Sequence, residues 1–206
     1  MSKSRQLLLD GLAEQALHCS ETQIDLLMQF HDLLLKWGQV YNLTAILESE
    51  KIISLHVLDS LSILPYLKGP RILDVGSGAG LPGLPLSILA PELNFSLLDS
   101  NAKKTRFIRQ AVLQLSLSSV QVIQVRVEDF LPDLAFDTIM MRAFAPLPVL
   151  LDRCLHLLKP GKQLLVMKGQ FPDEEIEQLA GIDYTVIPLS VPGVCVKRHL
   201  LCISSA

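Results

Sequence analysis

The spacing of hydrophobic positions changes near residue 69. Before that point, inward-facing positions recur with the period of an α-helix. Ser20-Glu21-Thr22-Gln23 matches a capping box, and the face that follows it comprises Ile24, Leu27, Met28, His31 and Leu35. A second helical stretch is predicted over residues 49–64, with an inner face of Ile52, Leu55, Leu58 and Leu61. The pattern predicts a small N-terminal helical subdomain over residues 1–68, which ends at the Lys68-Gly69-Pro70 break.

After Pro70, short hydrophobic runs alternate with helical periods. Strands are predicted over residues 71–75, 94–99, 120–125, 136–141 and 163–168, and helices over 82–89, 101–116 and 147–158. Such alternation is typical of βαβ units with a parallel sheet and right-handed crossovers. Two further strands, 184–189 and 199–203, are predicted to form an antiparallel edge pair around the Pro192-Gly193 turn. Residues 69–206 are therefore predicted to form an α/β, Rossmann-like core with a mainly parallel seven-stranded sheet.

Composition indicates a globular chain in a reducing compartment. Hydrophobic residues make up 50% of the 206 residues and charged residues 19%, which excludes global disorder. Asp10 and Glu14 interrupt the apolar run that a signal peptide needs, and glycines and prolines punctuate the longest uncharged stretch, residues 75–91. The four cysteines and five histidines are dispersed without metal-ligand spacing. We expect a cytoplasmic protein with no membrane segment and no metal site.

The most informative segment runs from Ile72 to Gly80 and reads Ile-Leu-Asp-Val-Gly-Ser-Gly-Ala-Gly. Its glycines stand where the first strand ends and a helix begins, so the backbone can turn tightly and approach a ligand. A structural turn in any α/β fold is the alternative reading. Asp99, at the end of the next strand, is placed to accept hydrogen bonds from two ribose hydroxyls. Glu128 follows the third strand, where a loop can line an adenine pocket.

Asp74 separates two classes of nucleotide-derived cofactor. A nicotinamide-dependent dehydrogenase would share the glycine loop and Asp99. However, a carboxylate directly before the glycines suits a ligand with an ammonium and a sulfonium group better than it suits a pyrophosphate. No Gly-Lys-Ser/Thr follows to complete a Walker loop. These residues favour S-adenosylmethionine, with a nicotinamide cofactor as the alternative.

Cationic residues gather at one predicted edge, although the net charge of the chain is −3. They are Lys103, Lys104, Arg106, Arg109, Arg126, Arg142, Lys168, Lys197 and Arg198. Lys103 and Lys104 fall in the first turn of a predicted helix, where the helix dipole disfavours cations by roughly 0.3–1 kcal/mol each. Neither lysine is needed for packing, so their position suggests an anionic partner such as RNA. An ordinary solvated face is the alternative.

The segment after the fourth strand reads Arg142-Ala143-Phe144-Ala145-Pro146. Methyltransferases that act on amino groups usually carry an Asp/Asn-Pro-Pro-aromatic loop there. Phe144 is placed to stack on a base, and Arg142 to donate to a guanine O6 or a phosphate; a capped strand end with a core Phe is the alternative. No general base is evident, which suits guanine N7 because its in-plane lone pair needs alignment rather than deprotonation. We interpret His56 and Asp59 as a local hydrogen-bonded pair.

Several segments, in order along nearly the whole chain, carry a family resemblance. They are Tyr41–Thr44, His56–Leu61, Asp74–Pro85, Leu98–Lys104, Met141–Ala145, Lys168-Gly169 and Arg198–Leu200. Together they resemble the RsmG (GidB) methyltransferases of bacteria, which modify N7 of a guanine in 16S ribosomal RNA. The resemblance implies a class I (Rossmann-like) S-adenosylmethionine-dependent methyltransferase fold and this activity, with 16S rRNA as partner, within the small ribosomal subunit.

The resemblance also implies residue roles. Gly76 and Leu81 would contact S-adenosylmethionine, Asp99 its ribose, and Val127 and Glu128 its adenine. With Asp74, Gly78, Gly80 and Arg142 these form the expected cofactor site, and Arg142 also faces the active centre. Contacts with RNA are expected from Lys103, Lys104, Phe144, Lys168 and Arg198. We expect a monomer that releases S-adenosylhomocysteine. A methyltransferase for a small molecule or protein, and a non-catalytic ribosome- or RNA-binding module, stay open as alternatives.

Overall fold

The computed structural model describes residues 2–41, 43–142, 146–169 and 182–204, with the side chains of residues 39–41 left aside. Its α-helices are Lys3–Glu14 (α1), Glu21–Tyr41 (α2), Ser49–Ile52 (α3), Asp59–Leu61 (α4), Gly83–Leu89 (α5), Ala102–Gln114 (α6) and Leu147–Cys154 (α7). A π-helical segment, Ile53–Leu58, joins α3 to α4, and short 3₁₀ turns cover Leu64–Tyr66, Val127–Asp129 and Leu155–Leu157. The strands are Arg71–Val75 (β1), Asn94–Leu98 (β2), Val120–Ile123 (β3), Thr138–Arg142 (β4), Gln163–Lys168 (β5), Tyr184–Leu189 (β6) and Arg198–Ser204 (β7).

The seven strands form one sheet in the order β3-β2-β1-β4-β5-β7-β6. Strands β1 to β5 are parallel, and β7 runs antiparallel to both β5 and β6. The mainly parallel sheet and the antiparallel pair are thus confirmed, although within that pair β7 lies inside the sheet and β6 alone is at the edge. The chain adds strands on one side of β1 and then on the other. The carboxyl ends of β1 and β4 therefore meet at a topological switch point, where open α/β sheets bind ligands.

Local signals account for the start of α2. Ser20 Oγ accepts a hydrogen bond from the Gln23 backbone N–H at 3.2 Å, and Gln23 Oε1 accepts one from the Ser20 N–H at 3.0 Å. This reciprocal arrangement is the predicted capping box. Ile24, Leu27 and His31 on the following turns are buried, as their spacing predicts.

The alternation of side chains along the strands divides the core into two layers. On one face Ile72, Phe95 and Met140 share a hydrophobic core with α1, α2, α5 and α6. On the other face Leu73 and Ile139 pack against α7. The N-terminal helices share the first of these cores, where α2 packs on α5 and α6 and α4 packs on α5. The division into residues 1–68 and 69–206 stays a prediction from sequence pattern.

The same alternation aims three polar residues at one side of the sheet. Asp74 follows Ile72 by two residues and Arg142 follows Met140 by two, so both side chains point to the face covered by the N-terminal helices. Arg198 precedes Leu200 by two residues on β7 and points the same way. The strand period thus brings a carboxylate and two guanidinium groups to one side of the carboxyl edge.

Candidate cofactor-binding and active site

A cavity of about 360 Å³ opens at the carboxyl ends of β1, β2 and β4. This volume lies within the range of roughly 300–1,000 Å³ that is typical of small-molecule sites. Its walls come from the glycine loop, the start of α6, the Val127–Asp129 turn and α7. The lining residues are Val75, Gly76, Leu98, Asp99, Ser100, Asn101, Lys104, Val125, Arg126, Val127, Glu128, Arg142 and Arg153.

The glycine loop depends on backbone conformations that other residues rarely adopt. Gly76, Gly78 and Gly80 have φ values of 69°, 58° and 77°, in the left-handed region that glycine enters without steric cost. The Gly76 and Ser77 N–H groups donate to the Leu98 carbonyl oxygen at 2.8 and 3.1 Å, which fastens the loop to the end of β2. Gly76 therefore presents bare backbone to the cavity.

Asp74 lies beneath this loop and is fully buried. Its Oδ2 accepts a hydrogen bond from the Gly83 N–H at 2.9 Å, while its Oδ1 has no hydrogen-bond partner among the described residues. A Cβ at Gly83 would lie only 2.7 Å from Asp74 Oδ2, so the close approach requires glycine. Burial raises the pKa of Asp74 to about 7. A buried acceptor with no partner, close behind the loop, fits a ligand that carries positive charge.

Asp99 faces the cavity with both carboxylate oxygens fixed. Its Oδ2 accepts from the Gly78 N–H at 2.9 Å and its Oδ1 from the Asn101 N–H at 2.8 Å. Each oxygen keeps a further lone pair. Two backbone donors therefore orient the carboxylate and leave it able to accept from two adjacent hydroxyl groups.

Glu128 forms the opposite wall together with a residue that the sequence analysis missed. Its Oε1 lies 3.2 Å from Arg153 Nε, and each side chain is a little under half exposed. Arg153 stands on α7, and no local pattern marks it because the contact depends on how α7 packs on the Val127–Asp129 turn. This ion pair sets the position of Glu128 at the cavity mouth.

Arg142 ends β4 and enters the cavity between the glycine loop and the N-terminal helices. Its Nη2 donates to the Leu55 carbonyl oxygen at 2.7 Å and lies 3.4 Å from Asp59 Oδ2. The His56 ring contacts the same guanidinium at 3.4 Å through Nδ1. Burial, and then the charge of Arg142, lower the pKa of His56 to about 4. His56 is therefore neutral at physiological pH.

The predicted bond between His56 and Asp59 is wrong. His56 Nε2 lies 2.8 Å from Thr44 Oγ1 and its Nδ1 lies 3.0 Å from the Leu55 carbonyl oxygen. Asp59 instead forms an ion pair with Arg142, and its Oδ1 accepts a hydrogen bond from Arg198 Nε at 3.0 Å. The segment Ile53–Leu58 is π-helical rather than α-helical, so the spacing on which the prediction rests does not apply there.

Comparison with known proteins agrees with this geometry. A family model described as rRNA small subunit methyltransferase G (GidB) matches residues 23–201. The chain belongs to this family. Two relatives named ribosomal RNA small subunit methyltransferase G illustrate the similarity. The one from Nitrosococcus oceani is 49% identical over 203 residues, which is 97% of this chain and 94% of the relative. The one from Chromobacterium violaceum is 48% identical over 197 residues, 94% of each chain.

Solved structures agree on the fold of this GidB family member. The glycopeptide N-methyltransferase MtfA, complexed with S-adenosyl-L-homocysteine, aligns with a TM-score of 0.63 at 11% identity over 73% of this chain and 87% of its own. The O-methyltransferase TomG from Streptomyces achromogenes, complexed with S-adenosylmethionine, aligns with a TM-score of 0.60 at 16% identity over the whole of both chains. The predicted class I methyltransferase fold is confirmed.

The predicted cofactor residues of this GidB chain divide into two sets. Gly76, Asp99, Val127, Glu128 and Arg142 line the cavity. The other four, Asp74, Gly78, Gly80 and Leu81, do not line it. Of these, Gly78 donates to Asp99, and the Asp74 and Leu81 side chains are buried. Direct contact between any of these residues and a cofactor stays a prediction.

The predicted RNA residues are spread more widely. Lys103 is exposed and Lys104 is half-buried in the first turn of α6, where Asn101 Oδ1 caps both backbone N–H groups. Lys168 ends β5, and Arg198 is bonded to Asp59. Phe144 lies outside the described residues. Of the described members of this set only Lys104 lines the cavity, and RNA contacts by all five residues stay predictions.

The described residues contain neither a metal-binding cluster nor a membrane-spanning helix. No group of three or more His, Cys, Asp or Glu side chains is arranged to hold a metal ion in this part of the chain. No helix within the same ranges is long and apolar enough to cross a membrane.

Proposed function

We propose that this protein transfers the methyl group of S-adenosylmethionine to N7 of a guanine in 16S ribosomal RNA. Membership of the rRNA small subunit methyltransferase G family supports the reaction class and the substrate. The observation that carries the proposal in this chain is the cavity itself. Asp99, fixed by two backbone amides, faces this cavity. Asp74 is buried behind the glycine loop, and its Oδ1 has no hydrogen-bond partner among the described residues.

The residues present fit S-adenosylmethionine. Asp99 would accept from the ribose hydroxyls, Val127 and Glu128 would border the adenine, and the Gly76 backbone would lie along the chain of the ligand. Asp74 would stabilise the ligand's positive charge from behind the loop, at short range and in a medium of low dielectric constant. When bound, the cofactor supplies an electrophilic methyl group on a sulfonium.

The protein's own contribution is alignment and charge. Guanine N7 attacks through a lone pair that is already free, so a general base is not required, and positioning supplies the rate. Arg142 is held at the cavity by Leu55 and Asp59 and can donate from its remaining N–H groups to guanine O6. His56 is neutral and adds no further positive charge beside Arg142.

The distribution of charge supports an RNA substrate. Residues 100–126 contain no Asp or Glu, whereas the whole chain has a net charge of −3. The cations of this acid-free segment are Lys103, Lys104, Arg106, Arg109 and Arg126. All are exposed except Lys104, which is half-buried and lines the cavity, as Arg126 does. Phosphate contacts from such a face position an RNA without reading its sequence.

We further propose that the protein acts as a monomer in the cytoplasm, on rRNA within the small ribosomal subunit. Incubation with labelled S-adenosylmethionine and either small subunits or bare 16S rRNA tests both the reaction and the form of the substrate. Mapping the product should locate label at N7 of one guanine. Label on protein, or none on RNA, would contradict the proposal.

Ligand-dependent stability provides a second test. S-adenosylhomocysteine at a hundredfold excess over its dissociation constant should stabilise the fold by about 2.7 kcal/mol, because it binds only the native state. NAD should not stabilise it. A thermal shift with NAD and none with S-adenosylhomocysteine would overturn the cofactor assignment.

A further inference from the structure

Asp59 is a buried carboxylate shared by two arginines from different strands. Its side chain is 3% exposed, against 26% for Arg142 and 20% for Arg198. Arg142 reaches it from the end of β4 and Arg198 from the start of β7. Both arginines stand on the sheet, whereas Asp59 stands on the helical segment that covers it. One carboxylate therefore joins the two layers at the mouth of the cavity.

The backbone around Asp59 is shaped to receive Arg142. The π-helical segment Ile53–Leu58 runs directly into Asp59, and such wide turns inside helices often occur at functional sites. From this segment the Leu55 carbonyl oxygen accepts from Arg142 Nη2 at 2.7 Å, and Asp59 Oδ2 lies 3.4 Å from the same nitrogen. A hydrogen bond from one turn and an ion pair from the next thus hold one nitrogen of the guanidinium.

Stability alone does not account for this cluster. Buried ion pairs are often no more stabilising than well-packed hydrophobic side chains, because both charges lose their hydration. Here one carboxylate faces two guanidinium groups, so the cluster retains a positive charge. Of the three residues only Arg142 lines the cavity. The arrangement is therefore better explained by the orientation of Arg142 than by a contribution to the stability of the fold.

We infer that Asp59 is a positioning residue for methyl transfer, which holds the Arg142 guanidinium in the orientation that the bound guanine and cofactor require. This inference rests on the function proposed above. Asp59 itself does not line the cavity and acts only through Arg142. Arg198 is the second partner, which fixes Asp59 from the side of β7.

The test is a double-mutant cycle between Asp59→Asn and Arg142→Met. A displacement of a reacting group by about 1 Å can cost on the order of a hundredfold in rate, so we expect Asp59→Asn to lower kcat roughly tenfold to a hundredfold. It should weaken S-adenosylhomocysteine binding by a few-fold. In the Arg142→Met background the same substitution should change neither quantity, because no guanidinium is left to position.

Asp137→Asn is the matched control. Asp137 also bonds a cation, Lys162 Nζ at 2.7 Å, but it immediately precedes β4, at the end of that strand remote from Arg142. Its loss should lower the melting temperature and leave kcat unchanged. If Asp59→Asn does not fold, the cycle is run with Asp59→Asn/Arg198→Gln, which removes the guanidinium left unpaired.

Two results would overturn the inference. One is a folded Asp59→Asn protein with unchanged kcat and cofactor affinity. The other is a loss of equal size in the presence and absence of Arg142, which would mean that Asp59 acts through the fold. If the wild-type protein methylates no RNA, the proposed function fails. The same double-mutant cycle, measured as S-adenosylhomocysteine affinity, then tests the positioning role of Asp59 without a methylation assay.

Discussion

Two charged regions of the molecule differ in their exposure to water. One is the floor of the cavity, formed by Asp74, Gly76–Gly83 and Asp99. The other is a group of cations on α6, called the rim here, which comprises Lys103, Lys104, Arg106 and Arg109 and of which Lys104 lines the cavity. Both carboxylates of the floor are buried and bonded to backbone amides. On the rim, Lys103, Arg106 and Arg109 are exposed. Buried charges act strongly over a few ångströms, whereas exposed charges are screened by salt within about 10 Å at 0.1 M. The floor therefore suits one small ligand of fixed shape, and the rim suits a large polyanion.

The largest expected effect concerns the cost of burying Asp74. Its pKa of about 7 in the folded protein lies above its ordinary value of 3.8. The folded state therefore holds a proton that the unfolded state releases, and stability falls as pH rises through this window. Between pH 5 and pH 8 this group should lower the free energy of unfolding by roughly 3 kcal/mol. Asp74→Asn should abolish that slope.

Urea denaturation of both proteins at several pH values measures the difference. His56 has the opposite dependence, since its lowered pKa makes the folded state lose stability as pH falls from about 6.5 towards 4. Only the wild-type minus Asp74→Asn difference isolates Asp74. If stability depended on pH equally in the two proteins, ionisation of the buried Asp74 carboxylate would cost no stability.

Asp99→Ala should weaken cofactor binding by roughly 1.5–3 kcal/mol, because it removes a charged acceptor for two hydroxyl groups. Calorimetric titration with S-adenosylhomocysteine measures the loss. Asp129→Ala is the control, since Asp129 is exposed on the neighbouring turn and does not line the cavity. Unchanged affinity in a folded Asp99→Ala protein would remove Asp99 from the site.

On the rim, Lys103→Ala/Lys104→Ala should weaken RNA binding and leave cofactor binding nearly intact. Each lost phosphate contact should flatten the plot of log affinity against log salt by roughly 0.7–0.9 in slope. Melting temperature should hold or rise slightly, because both lysines oppose the dipole at the start of α6. Lys104 lines the cavity, so single Lys103→Ala separates the effect on RNA from any effect on the cofactor.

The double variant Lys51→Ala/Lys159→Ala is the control for Lys103→Ala/Lys104→Ala, because it also removes two positive charges but does so away from α6. Lys51 stands on α3 and Lys159 precedes β5, at the end of that strand opposite the cavity. We expect a smaller change in the salt dependence for this pair. If both double variants bind RNA with the same affinity and slope as the wild type, the rim is an ordinary solvated face and the RNA docks elsewhere.

The smallest expected effect is that of Arg153→Gln. Its bond with Glu128 is a half-exposed ion pair, and such pairs contribute about 0–1 kcal/mol. Cofactor affinity should fall by less than tenfold, and the difference should shrink as salt is added. A larger loss of affinity, or a loss that salt does not change, would indicate that Arg153 contacts the ligand directly, as the residues of the floor are expected to do.

Several elements could be predicted residue for residue because the signals are local. The bounds of β1, β5 and β6 match their predicted ranges, since a run of strand-forming residues between turn signals needs no distant partner to be recognised. The glycine loop was equally visible, because a strand, clustered glycines and a helix follow one another directly. The first-turn position of Lys103 and Lys104 followed from the predicted start of a helix at residue 101, and the Asn101 cap of α6 agrees with it.

Contacts between distant parts of the chain could not be read in this way. Arg198 and Asp59 stand 139 residues apart, and only the order of strands in the sheet brings β7 to the helix that carries Asp59. The wrong pairing of His56 with Asp59 has the same origin. A spacing of three residues predicts neighbours on an α-helix, but the helix there takes a π turn. Arg142 and Arg198 contact the two oxygens of Asp59 from the sheet. Sequence alone determined the positions of charged residues along each helix and strand. Tertiary packing decided which of these residues pair, because a buried charge must pair with a group from the layer that packs against it.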